Sequence, residues 1–180
     1  MSKRCGPFCK NRRYDKMEPK LWKAIQFLVN ISAFPLGDVI DAGANDGKSA
    51  EMLAKLFKTQ TVFAIEPLRP NVEAIQRLQV ANIRVLHGGL GQYNSTTRTY
   101  PSLLNKKPGS IFLQINKGTK GDYAYPVYST DALFKDRKLA FAHWDVEGSE
   151  PEVLKGAVET LRRDRPILTI ETHSMHNAVA

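Results

Sequence analysis

Apolar residues along this chain follow two rhythms. Short, nearly continuous apolar runs occur at Asp38 to Ala42, Thr61 to Ile65, Ile83 to Leu86, Leu139 to Trp144 and Ile167 to Ile170, the lengths expected of strands buried on both faces. Between them the apolar positions recur at helical spacing. Glu18 to Val29 places Leu21, Trp22, Ile25, Leu28 and Val29 on one side, with Pro19 suited to a first turn. Ala50, Leu53, Ala54 and Phe57 follow Asn45 and Asp46, both good capping residues. Pro70 opens a helix with Val72, Ile75 and Leu78 as its buried stripe. Asp131 to Phe134 starts a short helix. Ser149 and Glu152 have capping-box spacing ahead of Leu154, Ala157, Val158 and Leu161. Strands alternating with helices predict an α/β fold, a parallel sheet flanked by helices.

One region breaks the alternation. Gln92 to Gly121 is rich in Asn, Ser, Thr, Lys, Pro and Gly around a single apolar segment, Ile111 to Ile115, and with Tyr125 to Tyr128 it predicts an antiparallel excursion.

The candidate chemistry gathers where predicted strands end. Asp38 to Gly47, D-V-I-D-A-G-A-N-D-G, is a strand closing on an acid and a glycine turn, and V-F-A-I-E-P from Val62 to Pro67 closes on a second acid. Gly43 and Gly47 let the backbone turn sharply and approach a ligand, with helix-start amides nearby. The dinucleotide fingerprint G-x-G-x-x-G is absent, because Asn45 stands where its second glycine would be. Asp41 would repel a pyrophosphate but suits a ligand carrying an ammonium and a sulfonium. Glu66, placed to accept hydrogen bonds from two ribose hydroxyls, completes the pattern. The expected cofactor is S-adenosylmethionine.

Charge changes this picture little. Of the formal net charge of +8, six units come from residues 1–23, with eight basic and two acidic side chains. The basicity therefore belongs to a predicted flexible leader, residues 1–17, ahead of a single domain over 18–180. A solvated tail is favoured over a nucleic-acid arm. Cys5 and Cys9, in the leader with no histidine nearby, do not complete a zinc site, and no metal is expected. Without an apolar run of membrane-spanning length or a secretory signal, the expectation is a cytoplasmic protein with no membrane association.

The motifs D-A-G-A-N-D-G at 41–47, I-E-P at 65–67, D-V-E-G-S-E at 145–150 with V-L-K-G-A at 153–157, and R-P-I-L-T-I-E at 165–171 resemble the FkbM family of S-adenosylmethionine-dependent methyltransferases. The resemblance implies a class I methyltransferase, Rossmann-like fold, and methyl transfer to a hydroxyl of a small molecule or sugar. Carried over by motif, Asp41, Gly43, Asn45 and Gly47 match the cofactor loop, Glu66 the ribose-binding acid, Pro67 the turn after it, and Leu90 a contact near the adenine. Asp145, Glu147 or, after the last strand, His173 is placed to act as general base. Glu150 is read instead as an acid complementing a helix start.

Two departures stand out. The family's lysine and small aliphatic residue before D-V-E-G are His143 and Trp144 here. A tryptophan at a strand end is read as core packing and the histidine as structural. The family fold also has two strands after the fifth, which this chain is expected to lack. A catalytically inactive, cofactor-binding module is therefore the alternative to an active O-methyltransferase. Nucleic-acid methylation is disfavoured because D-V-E-G stands where base-modifying enzymes carry an N/D-P-P-Y type element.

Overall fold

The computed structural model describes residues 19–99 and 123–171. In chain order these form α1 (Pro19–Asn30), β1 (Asp38–Ala42), α2 (Lys48–Leu56), β2 (Val62–Glu66), α3 (Arg69–Gln76), β3 (Ile83–His87), β4 (Gly89–Leu90), β5 (Ser95–Thr99), β6 (Tyr123–Tyr128), α4 (Thr130–Leu133), β7 (Leu139–Trp144), α5 (Glu150–Lys155), α6 (Val158–Asp164) and β8 (Ile167–Ile170). No helix among the described residues is long and apolar enough to cross a membrane.

Five strands make the central sheet, in the order β3-β2-β1-β7-β8, and every pairing is parallel. The near-continuous apolar runs follow from this, because both faces are covered. Successive residues of each strand serve opposite layers. Val39, Val62, Ala64 and Phe141 pack with Ile25 of α1, Ala50, Leu53 and Ala54 of α2, and Ile75 of α3. Ile40, Ala42, Ile65, Ala142 and Trp144 pack with Phe134, Leu90, Val153 and Ala157 on the other side. From β1 the chain winds outward through β2 and β3, then returns to place β7 on the opposite flank of β1. The strand order thus reverses between β1 and β7, and a crevice at their carboxyl ends is where such sheets receive ligands.

The excursion is antiparallel as expected. β5 pairs antiparallel with β6, and β6 pairs parallel with the short β4 in a three-stranded sheet of order β4-β6-β5. Ile111 to Ile115, the leader and both cysteines lie outside the described residues.

Three local expectations are corrected. The last helix is two helices, divided at Gly156 and Ala157: a Cβ on Gly156 would stand 2.1 Å from the carbonyl oxygen of Gly91. The division resets the helical phase, so Val153, Ala157 and Thr160 are buried while Leu154 and Val158 are more than a third exposed. The Ser149 side chain makes no cap hydrogen bond; its carbonyl accepts from the amides of Glu152 and Val153 instead. Leu78 lies beyond the end of α3 and is exposed, because the helix stops at Gln76 and Gln79 turns left-handed with φ 52°.

Candidate functional site

The turn after β1 is built from left-handed residues. Gly43 (φ 81°), Asn45 (φ 48°) and Gly47 (φ 84°) alternate with ordinary ones, which suits glycine and asparagine and few other residue types. The cap of α2 is Gly47 rather than the expected Asn45 or Asp46, although the Asp46 carboxylate accepts the Lys48 amide at 3.3 Å. The space left by the missing side chains belongs to the protein itself. A Cβ on Gly43 would lie 1.9 Å from the carbonyl oxygen of Asp145, and one on Gly47 would meet the side chains of Leu78 and Ile75. The glycines thus bring the β1 turn against the β7 loop and against α3; this, rather than clearance for a ligand, is what their bare Cα positions accommodate.

The turn's amides are also engaged. Gly43 and Ala44 donate to the Ile65 carbonyl at 2.9 and 3.2 Å, Gly47 donates to Ala44, and Asn45 donates to Glu66 Oε2 at 2.8 Å. A pyrophosphate-binding turn offers such amides to its ligand; here protein acceptors hold them.

Glu66 ends β2 as the knot of this arrangement. Oε2 takes the Asn45 amide, Oε1 takes the Leu68 amide at 2.8 Å, and the Asn71 side chain adds a further hydrogen bond. Asn71 also donates to Asn45 Oδ1 at 3.1 Å. Burial pushes the Glu66 carboxyl up to about 7 against the pull of these donors, and nearby Asp41 adds to the rise. Each carboxylate oxygen has a second lone pair, so the acid retains capacity to accept from a ligand. Pro67 is buried behind it, and its carbonyl accepts a hydrogen bond from His87 Nε2 at 2.9 Å, which fixes that nitrogen as the protonated one.

Asp41 is fully buried at the end of β1. Its Oδ2 accepts the Ser49 hydroxyl of α2 at 2.7 Å, and among the described residues Oδ1 has no hydrogen-bond partner. Burial raises its pKa, opposed by the charge of His143 and by the Ser49 hydrogen bond. Such an orphaned buried acceptor demands a partner. A bound ammonium would supply one, and with Glu66 on the adjacent strand end the pair fits an aminoacyl nucleoside.

On the other side of the reversal, Asp145 donates its amide to the Ala42 carbonyl at 3.0 Å and is half-buried, as is Glu147, which adopts φ 51°. The structure therefore brings Asp41, Gly43 and Asp145 to one place, with Glu147 two residues on. Glu150 accepts the Gly148 amide at 3.1 Å, a local structural role in agreement with its expected service to a helix start. Leu90 is 1% exposed and packs into the apolar layer with Ile40 and Trp144, so it is covered by protein. Trp144 is equally enclosed, which bears out core packing. His173 lies outside the described residues. Ser49, Asn71 and Thr169 join the site without being singled out by the sequence, whereas His87 opens the segment 87–91 that the family resemblance places after the third strand. Ser49, two residues past Gly47 in the first turn of α2, carries the one readable signal; Asn71 and Thr169 depend on which segments become neighbours. No cluster of three or more His, Cys, Asp or Glu among the described residues could hold a metal ion.

A five-stranded parallel sheet with helices on both faces, reversing its order beside two acid-tipped strands, defines a Rossmann-like methyltransferase fold. Residues 41–180 match the family model described as Methyltransferase FkbM domain, and the chain belongs to that family. No curated protein and no solved structure matches the chain.

Proposed function

We propose that the chain is an S-adenosylmethionine-dependent methyltransferase acting on a hydroxyl of a small molecule or sugar, in the cytoplasm. The observation that carries the cofactor assignment is the pairing of two buried acids, Asp41 and Glu66, on adjacent strand ends around a turn whose amides are already engaged. Such a site is poor for a pyrophosphate and well matched to a cationic nucleoside. When bound, adenosylmethionine would supply an electrophilic methyl group.

The chain's own residues would do the rest. Glu66 would accept the ribose hydroxyls, with Pro67 fixing the turn beyond it, while Asp41 would face the ammonium. Gly43, Asn45 and Gly47 would shape the loop between them, and Leu90 would support the adenine side from within the core. An alcohol becomes a competent nucleophile as its proton leaves, so Asp145 or Glu147 beside the turn, or His173 further along, would serve as the base. Holding acceptor oxygen and methyl carbon in line supplies much of the remaining acceleration.

The test is transfer of label from methyl-labelled adenosylmethionine to a panel of sugars and hydroxylated small molecules. Transfer to a hydroxyl supports the proposal. Tight cofactor binding with no transfer to any acceptor would favour a binding module instead.

A further inference from the structure

α1 turns a face to solvent that the fold does not use. On its inner side Ile25 is buried, and Leu21, Trp22 and Val29 pack with it against the layer of α2 and α3. The opposite side carries Lys20, Lys23, Phe27 and Ile31, spaced i, i+3, i+7 and i+11 and therefore aligned along one face. All four are exposed, Phe27 by 61% and Ile31 by 56%. Ile31 extends the helical pattern past Asn30, because its amide donates to the Phe27 carbonyl at 3.1 Å. The stripe runs about 17 Å, basic at its start and apolar at its end. Leu36, 84% exposed, follows just before β1.

The neighbouring helices show what a merely solvated face looks like. Glu51 pairs with Lys55 on α2, and Glu73 with Arg77 at the end of α3, each four residues apart. α1 has two lysines and no acid, and the sequence from Pro19 to Gly37 contains no Asp or Glu. Lys20 stands in the first turn, where the helix dipole disfavours a cation, while Phe27 and Ile31 hold large apolar surfaces in water. Neither placement stabilises the free domain. Both suit a partner that is anionic where it meets the lysines and apolar where it meets Phe27 and Ile31.

Charge selects among such partners. A nucleic acid offers phosphates but no apolar layer for an isoleucine. A second copy would bring the same cations to the same face, six units of the net charge of +8 lying in residues 1–23. A bilayer surface containing anionic lipid offers both chemistries, charged headgroups above acyl chains.

We propose that this face of α1 attaches the protein to an anionic membrane surface, Lys20 and Lys23 meeting the lipid headgroups while Phe27 and Ile31 enter the boundary beneath them. Such attachment needs no spanning segment. The basic residues that precede α1 in the sequence add to the attraction. Phe34, in the turn after α1, packs edge-on against Phe57 at the far end of α2 from the cofactor turn. The apolar end of the stripe thus lies away from Asp41 and Glu66, and attachment there leaves the crevice open.

The test is co-sedimentation of the full chain with vesicles of phosphatidylcholine alone, or with about one-third phosphatidylserine. The unaltered chain should bind the anionic vesicles at least about tenfold more tightly, and lose that preference as salt rises. Phe27→Ser with Ile31→Ser should weaken this binding at least about tenfold while keeping the thermal midpoint, because neither side chain is in the core. Lys20→Glu with Lys23→Glu should weaken it by a similar factor. Phe27→Trp should retain binding, and its emission should shift to the blue on contact with the vesicles; if the serine pair fails to fold, the presence or absence of this shift decides. Anionic-vesicle binding that survives the serine pair would mean that charge alone acts, and would overturn the proposal. So would no binding to anionic vesicles, a dimer in solution that the serine pair dissolves, or tighter retention on duplex DNA than on vesicles.

Discussion

The backbone amide of Asn45 donates to Glu66 Oε2 at 2.8 Å, tying the turn after β1 to the tip of β2 across 21 residues of sequence. Burial of this acid brings a pH dependence that the tie itself only partly offsets. Burial pushes the Glu66 carboxyl up to about 7 from the ordinary 4.5 of a free glutamate, so its contribution to stability is full below 4.5 and is lost as pH rises through 7. Glu66→Gln should remove that decline, which amounts to about 3 kcal/mol over the window. Thermal unfolding from pH 4 to pH 8 checks it: the unaltered chain should lose stability relative to the variant as pH rises. Parallel curves would contradict the assignment.

Two glycines with similar backbone angles should respond very differently to alanine. At Gly43 a Cβ would meet the Asp145 carbonyl oxygen at 1.9 Å, whereas at Gly148 (φ 93°) it would meet nothing within 4 Å. Gly148→Ala should therefore cost only the left-handed strain, about 1 kcal/mol. Gly43→Ala adds a backbone collision that separates the β1 turn from the β7 loop, and should cost roughly 3–4 kcal/mol. Urea denaturation of the two variants measures the difference.

Asp131 offers a control remote from the turn. Its carboxylate accepts the amides of Glu159 and Thr160 at 3.2 and 2.7 Å, capping α6 from α4. Asp131→Ala should lower stability by about 1–2 kcal/mol and leave adenosylhomocysteine affinity unchanged. A large fall in affinity would mean that α6 and the turn are more tightly joined than the packing indicates.

Trp144 separates packing from hydrogen bonding. Its ring is fully buried and its Nε1 has no hydrogen-bond partner among the described residues. Trp144→Ala should cost roughly 3–5 kcal/mol, while Trp144→Phe, which removes the unsatisfied donor along with some volume, should cost much less. Equal losses in the two variants, measured by denaturation, would contradict a packing role.

The central strands were legible because burial on both faces leaves an unbroken apolar signature, and the acids at 41 and 66 stood out by ending such runs. What the sequence hid depends on contacts between distant segments. Gly156 ends a helix because it lies against Gly91, and nothing near residue 156 announces that partner. Asn45 was readable as a cap by type, yet its amide serves Glu66 and its side chain accepts from Asn71. Likewise the register that sets His143 between Asp41 and Thr169 is not specified by a linear pattern.

Calorimetric titration of adenosylhomocysteine into the intact, folded protein, with Glu66→Ala alongside, decides whether the paired acids hold the cofactor. Saturable binding at a single site is expected, with loss of that binding in a variant that remains folded. No heat from the folded, unaltered chain, or tight binding of NAD in its place, would contradict it.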